Sequence, residues 1–258
     1  MFDLSQWPLE DRRQIRGVFT DIDDTLTENG VISTQTLHAL HRLKISGLSV
    51  IAITGRSVGW SKPFSTEWPV DAIVAENGAV ALIQTNTLYA QDEQTRAYNR
   101  TRMAQVIQAI AQALPHAHVS QDNAGRETDI AIDHSEYHQL SEADIARVVH
   151  IMQRHAMTAT VSSIHINGWY GTHHKLEGAR WIVHELWGRQ LDAECDQWVY
   201  VGDSTNDERM FAHFSNSIGV ANIRQYTHVL QHLPRYVTPS ERGWGFIEVV
   251  NTLLSCHS

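Results

Sequence analysis

Apolar residues along this chain follow two different patterns, and the change from one to the other divides it. Towards both ends they form short, nearly continuous runs: Val18-Phe19 leading through Thr20 to Asp21, residues 48–53, residues 72–75, and Trp198-Val199-Tyr200-Val201. A strand that is apolar on both faces belongs inside a parallel sheet covered on both sides. Helical spacing stands between these runs. Leu37, Leu40 and Leu43 follow an N-cap signal at Ser33 and precede Gly47, while residues 176–187 are stopped by Gly188. Residues 207–214 and 246–254 read as two further helices. Asn77-Gly78 predicts a tight hairpin into residues 79–83, and residues 217–220 and 236–237 read as short strands.

The middle of the chain is patterned differently. Met103, Val106, Ile107, Ile110 and Leu114 lie on one face of a helix over residues 95–114. Residues 128–133 alternate polar and apolar, which predicts a strand with one exposed face. Ser141 and Asp144 have capping-box spacing ahead of Ile145, Val148, Val149 and Met152, and residues 157–163 and 164–167 read as strands. The whole predicts an α/β fold: a Rossmann-like parallel-sheet core from residues 1–83 and 168–258, with an α+β cap of residues 84–167 inserted between them.

Composition narrows the function without naming it. A formal net charge of −9 lacks the basic face that nucleic-acid binding requires, but leaves room for a small anionic substrate beside a local cation. No run approaches the ~18 apolar residues of a membrane span. The start carries Asp3, Glu10 and Asp11 with no apolar stretch of a secretory signal. Cys195 and Cys256 make neither a disulfide framework nor a zinc quartet, so the expected address is cytoplasmic. The pairs His134/His138 and His228/His232 stand outside any metal-binding frame and read as solvated positions.

Chemistry concentrates where buried strands end. Asp21-Ile22-Asp23-Asp24-Thr25, Thr54-Gly55-Arg56 and Gly202-Asp203-Ser204-Thr205-Asn206-Asp207 all follow such strands, and ligands of open parallel sheets bind beyond those ends. Each segment alone has the composition of an ordinary turn or helix cap; three together point to one site. Asp21 and Asp23, two apart in extended chain, project to the same side and can divide attack on phosphorus from proton transfer. Asp203 adds a third carboxylate, a donor set suited to Mg²⁺. Lys175, near the start of a helix, would offer positive charge to a phosphoryl group in transfer.

These residues carry a family resemblance. Asp21-Ile22-Asp23-Asp24-Thr25 resembles the first motif of the haloacid dehalogenase superfamily, Thr54 its second, Lys175 its third, and Gly202-Asp203-Ser204-Thr205-Asn206-Asp207 its fourth. The large insertion between the second and third motifs resembles subfamily IIB, whose larger α/β cap is common among sugar and other small-metabolite phosphatases; Glu76-Asn77-Gly78-Ala79 also looks like a segment common there. The resemblance implies Asp21 as nucleophile, Asp23 as acid and base with its carbonyl on Mg²⁺, and Asp203 completing the metal site. It implies Thr54, Gly55 and Lys175 on phosphate, with Arg56, Asn77, Asn206 and Asp207 in support. Asp24 stands where many relatives have Gly, and Leu176-Glu177-Gly178 follows the lysine where many have Gly at once. The implied activity is hydrolysis of a small phosphorylated metabolite; a phosphomutase or a non-catalytic phosphosugar-binding protein would use the same scaffold. Within the cap, Arg126 is either a substrate contact at the cleft mouth or a solvated arginine balanced by Glu127.

Overall fold

The computed structural model describes residues 1–255, so Cys256 lies outside the described residues. From the start run β1 (Phe2–Asp3), α1 (Leu9–Gln14), β2 (Gly17–Thr20), the hairpin β3 (Thr27–Glu28) and β4 (Val31–Ile32), α2 (Thr34–Ile45) and β5 (Ser49–Ile53). The short helices α3 (Val58–Ser61) and α4 (Phe64–Glu67) precede β6 (Ala72–Ala75), β7 (Val80–Ile83) and β8 (Asn86–Tyr89). Next come α5 (Glu93–Ala113), β9 (His118–Val119), β10 (Asp129–Asp133), α6 (Glu142–Arg154), β11 (Thr158–Val161) and β12 (His165–Trp169). The order closes with α7 (Lys175–Trp187), β13 (Trp198–Gly202), α8 (Glu208–His213), β14 (Asn216–Gly219), β15 (Tyr236–Val237) and α9 (Arg242–Leu254).

Among the described residues, nine strands form one sheet in the order β1-β15-β14-β13-β2-β5-β6-β7-β8. Pairing is parallel from β1 to β6 and antiparallel between β6, β7 and β8. Alternate residues of β2 point to opposite layers. Val18 packs with Leu40, Leu43, Phe246 and Val250 of α2 and α9, and Phe19 packs with Ile182, Val183 and Phe214 on the α7 and α8 side. Register then decides where the chain leaves the sheet. Val201 lies opposite Thr20 and Thr20 opposite Ala52, so Asp21, Asp203 and Thr54 emerge along one edge.

The second sheet, β11-β12-β10-β9, is antiparallel throughout. Met103, Val106 and Ile110 of α5 and Val148 and Met152 of α6 pack on Ile130, Ile132 and Ile166. β10 is buried on both faces, not half exposed as its alternation predicts. Its polar positions Asp129 and Asp133 are covered by hydrogen-bonded partners, Asp129 by groups from the large domain as well. Two further differences concern extent. The large sheet continues past residue 83 through β8, and β12 carries the small sheet to Trp169, because each strand pairs along its full length with a neighbour already in place. β1 and β9, two residues each, are too short for any period to register.

Helix α7 presses hard on the turn after β6. A Cβ added to Gly178 would lie 2.6 Å from the Gly78 Cα, and Gly78 itself has φ +105°. Backbone meets backbone there, so neither side can yield by changing rotamer. Gly178→Ala is expected to lower stability by about 1–3 kcal/mol, the usual result of overpacking. In urea the midpoint should fall while the slope stays unchanged.

Candidate active site

Where β2 ends, the Asp21 amide donates to the Val201 carbonyl at 2.8 Å, continuing the pairing of β2 with β13 one residue beyond the strand. The chain then wraps around Ile22, whose carbonyl accepts from Leu26 (2.9 Å) and Thr27 (3.1 Å) while its side chain is wholly buried. Asp21 is thereby left at the strand end. Asp203 arrives from β13, held by Thr25 Oγ1 (3.3 Å) and by Asn222 Nδ2 (3.0 Å). Lys175 is the first residue of α7; its Nζ donates to Asp21 Oδ1 at 2.8 Å and to Asp207 Oδ1 at 2.6 Å.

Charge in this corner does not balance. Asp21, Asp203 and Asp207 are buried, and ligand oxygens from all three come within 4.8 Å of one another. Lys175 is the ammonium that faces Asp21 and Asp207. Burial pushes Asp21 up to about 7 against the pull of Lys175, with Asp207 and Asp23 adding to the rise. Burial likewise carries Asp203 well above the carboxylate range, reinforced by Asp21 and Asp207. Burial opposes the Lys175 charge, yet Asp207 and Asp21 outweigh it and its pKa rises.

Asp207 is not available to a metal. Its oxygens accept from Lys175, from the Tyr200 hydroxyl, and from the amides of Asp203 (2.9 Å) and Ser204 (3.2 Å). Asp21 and Asp203 remain, two hard oxygen donors short of positive charge. That set fits a divalent cation, which supplies what the side chains lack.

Asp23 is held from the other side. Arg56 Nε donates to Asp23 Oδ1 at 2.9 Å and Oδ2 at 3.1 Å, and its Nη2 lies 2.8 Å from Oδ1. The same Nη2 donates to Glu136 Oε1 of the cap at 2.7 Å. A polar cavity of about 630 Å³ opens here, lined among others by Asp23, Asp24, Arg56, Glu136, Asp203 and Arg242.

The other expected residues divide into two groups. Thr54 is buried, and its Oγ1 accepts the Arg56 amide at 3.0 Å, which shapes the loop after β5. The Gly55 carbonyl accepts from Arg126 (2.9 Å) and Asn167 (3.2 Å), and Asn77 Nδ2 donates to Asp129 at 3.4 Å. These contacts join cap to core. Asn206 accepts from Ser204 Oγ at 3.0 Å, and Asn222 ties Asp203 to the Asp24 carbonyl (3.0 Å).

Arg126 takes neither of its expected places. Its side chain is 1% exposed, pairing with Asp122 at 3.0 Å and Asp129 at 2.7 Å. Burial works against the Asp122 charge, but Arg126 and the Ser120 hydroxyl hold its carboxyl well below the usual range. Beside this pair the buried Glu76 accepts from the amides of Val58 (3.0 Å), Glu127 (3.0 Å) and Thr128 (2.6 Å). Charges buried on both sides of the contact explain why a loop arginine is drawn in. His134 is buried too, its Nε2 3.0 Å from the Ser162 carbonyl, whereas a solvated position was expected. Glu136, Asn222 and Tyr200 had no distinguishing signal in the sequence, since each acts through a partner distant in the chain.

Residues 18–124 match the family of haloacid dehalogenase-like hydrolases. A phosphoglycolate phosphatase of Pyrobaculum islandicum is 27% identical over 241 residues, covering 91% of this chain and 94% of that one. Among solved structures, Thermoplasma acidophilum 0175 superposes with a TM-score of 0.71 at 16% identity, covering 93% of this chain and 98% of its own. A sugar phosphatase described as haloacid dehalogenase subclass IIB gives 0.65 at 14% identity, with 93% and 98% covered. Among the described residues, no helix is long and apolar enough to cross a membrane.

Three outcomes follow from the charges. Mg²⁺ should raise the melting temperature, and more so at pH 8 than at pH 6. The folded Asp21 titrates near 7 against an unfolded value near 3.8, so its destabilising charge is complete only above the folded value. Asp203→Asn should raise the metal-free melting temperature and remove the Mg²⁺ shift. Arg126→Ala, which strands two buried carboxylates, should cost about 3–5 kcal/mol in a denaturant titration. Any loss of activity should be the same for every substrate.

Proposed function

We infer, for a chain that belongs to the haloacid dehalogenase superfamily of hydrolases, a Mg²⁺-dependent phosphatase that acts on small phosphorylated sugars through an aspartyl-phosphate on Asp21. The observation that carries this reading is the buried Asp21 carboxylate, gripped by Lys175 and faced by Asp203, with the arginine-held Asp23 on the adjoining cavity wall. Binding alone does not require such an arrangement of a nucleophile and an acid.

In this reading the Asp21 carboxylate attacks phosphorus, and the bond from phosphorus to the leaving oxygen breaks. Asp23 gives its proton to that oxygen, then takes one from the water that attacks the acyl phosphate and restores Asp21. Lys175 offsets charge on the phosphoryl oxygens, and Asp207 holds the lysine in place. Mg²⁺, held by Asp21, Asp203 and the Asp23 carbonyl, would supply the positive charge that lets two anions meet. Asn222 orients Asp203 for that task.

The cavity supports a sugar over a short carboxylic acid. Its volume of about 630 Å³ is in the range of small-molecule sites and generous for a two-carbon acid. Carboxylates of Asp24 and Glu136 line it, and its arginines are already engaged: Arg56 with Asp23, and Arg242 with Asp24 at 3.0 Å. Hydroxyl groups can donate to such walls, whereas a substrate carboxylate would meet like charge.

A panel of sugar phosphates and 2-phosphoglycolate, assayed with Mg²⁺ for released phosphate, tests this. A sugar phosphate should exceed phosphoglycolate in kcat/KM by at least about tenfold, a difference of roughly 1.4 kcal/mol. Preference for phosphoglycolate would overturn the substrate reading. Asp21→Asn should retain less than about a hundredth of the activity if the covalent route holds.

A further inference from the structure

The cap reaches the catalytic carboxylates at one fully engaged charge relay. Asp23 and Arg56 belong to the core, and Glu136 and His165 to the cap; Asp23, Arg56 and His165 are buried. Arg56 Nη2 is shared, 2.8 Å from Asp23 Oδ1 and 2.7 Å from Glu136 Oε1. Glu136 is braced in turn, with Oε2 2.9 Å from His165 Nε2. The loop that presents it is wound around Asp133, whose carboxylate accepts the amides of Glu136 (2.9 Å), Tyr137 (3.0 Å) and His138 (3.2 Å). A surface ion pair needs no such brace.

The guanidinium is a planar fork, and its orientation decides what it holds. The Nε and Nη2 edge grips Asp23. With Glu136 in place, the Nη2 hydrogen not used by Asp23 is also held, and the fork is pinned at both ends. Without Glu136 the buried cation keeps Asp23 and the Trp60 ring, over which it lies at 4.9 Å, but the outer Nη2 hydrogen loses its hold, and the fork can shift and carry Asp23 with it.

We propose that Glu136 is a positioning residue: from the cap it fixes Arg56, and through Arg56 the carboxylate of Asp23, so that proton delivery to the leaving oxygen depends on the cap being seated. This rests on Asp23 as the acid. It assigns to the cap a part in the chemistry, separate from contact with the substrate. His165 serves the same end by holding Glu136.

Leaving-group dependence separates positioning from simple clamping. With saturating Mg²⁺ and enzyme in excess, a single turnover reads release of the leaving alcohol and not the later attack by water. Under these conditions Glu136→Gln should lose about 10- to 100-fold in rate for an alkyl phosphate, whose departing oxygen needs the proton. For an aryl phosphate that leaves unaided the loss in this same release step should be less than about threefold, since a general acid contributes little there. KM for either substrate should stay within about twofold, because binding is not what the contact supplies. Arg56→Lys, which keeps the charge and loses the fork, should show the same selectivity. His165→Gln, which weakens only the brace, should show it more weakly and covers the case in which Glu136→Gln melts early. Equal losses on both esters, or a change confined to KM, would overturn the proposal and leave Glu136 as a cap clamp. Asp23→Asn run alongside tests the reading beneath: if it shows no leaving-group dependence, Asp23 is not the acid and the proposal falls with it.

Discussion

Unbalanced charge at the end of one strand governs much of this molecule. Asp21, Asp203 and Asp207 converge where water is excluded, with Lys175 bridging two of them. Arrangements of this kind are unfavourable for the fold alone, because buried like charges raise one another's pKa and penalise the compact state. The remainder of the site is organised to contain that penalty. Tyr200 and two amides complete Asp207, Asn222 and Thr25 steady Asp203, and α7 is pressed against the turn after β6 so that its first residue reaches Asp21. Stability has been given up locally where the three carboxylates meet.

The contact between cap and core repeats that imbalance with fuller hydrogen bonding. Arg126 is shared by Asp122 and Asp129, burial pushes Asp129 up to about 7, and Glu76 is met by three amides and the Thr128 hydroxyl. Backbones approach closely enough that a Cβ on Gly59 would lie 2.8 Å from the Gly125 Cα. One part of the contact is thus built as a joint. The Arg56–Glu136 pair is the part that faces the polar cavity.

What could be read from the sequence depended on the range of the forces involved. Strand ends, the helix opening at Lys175 and its stop at Gly188 were legible, because continuous apolar runs, caps and glycines act over a few residues. The meeting of Asp21 with Lys175 was legible only through motif order, since 154 positions separate them. Arg126 was misplaced for a physical reason. An arginine beside a glutamate in a glycine-containing stretch reads as solvated, and only the approach of Gly55, Asp122 and Asp129 makes a dry pocket for it. Asn222 was invisible, as its partners, Asp24 and Asp203, lie on other elements. The polar face of β10 looked exposed because alternation reports that one face is polar, not what covers it.

The strand order also has a consequence for synthesis on the ribosome. β2 carries Asp21 and is flanked by β5, made soon after it, and by β13, which is made only after the whole inserted unit. During that interval β2 has one unpaired edge, with Val18 and Phe19 lacking part of their cover. The nascent chain therefore carries a half-finished sheet while the cap, whose strands pair among themselves, can already close. Synthesis of β13 then joins two separated lengths of chain, and Asp21 acquires Lys175 and Asp203 as neighbours only after the inserted unit has been made.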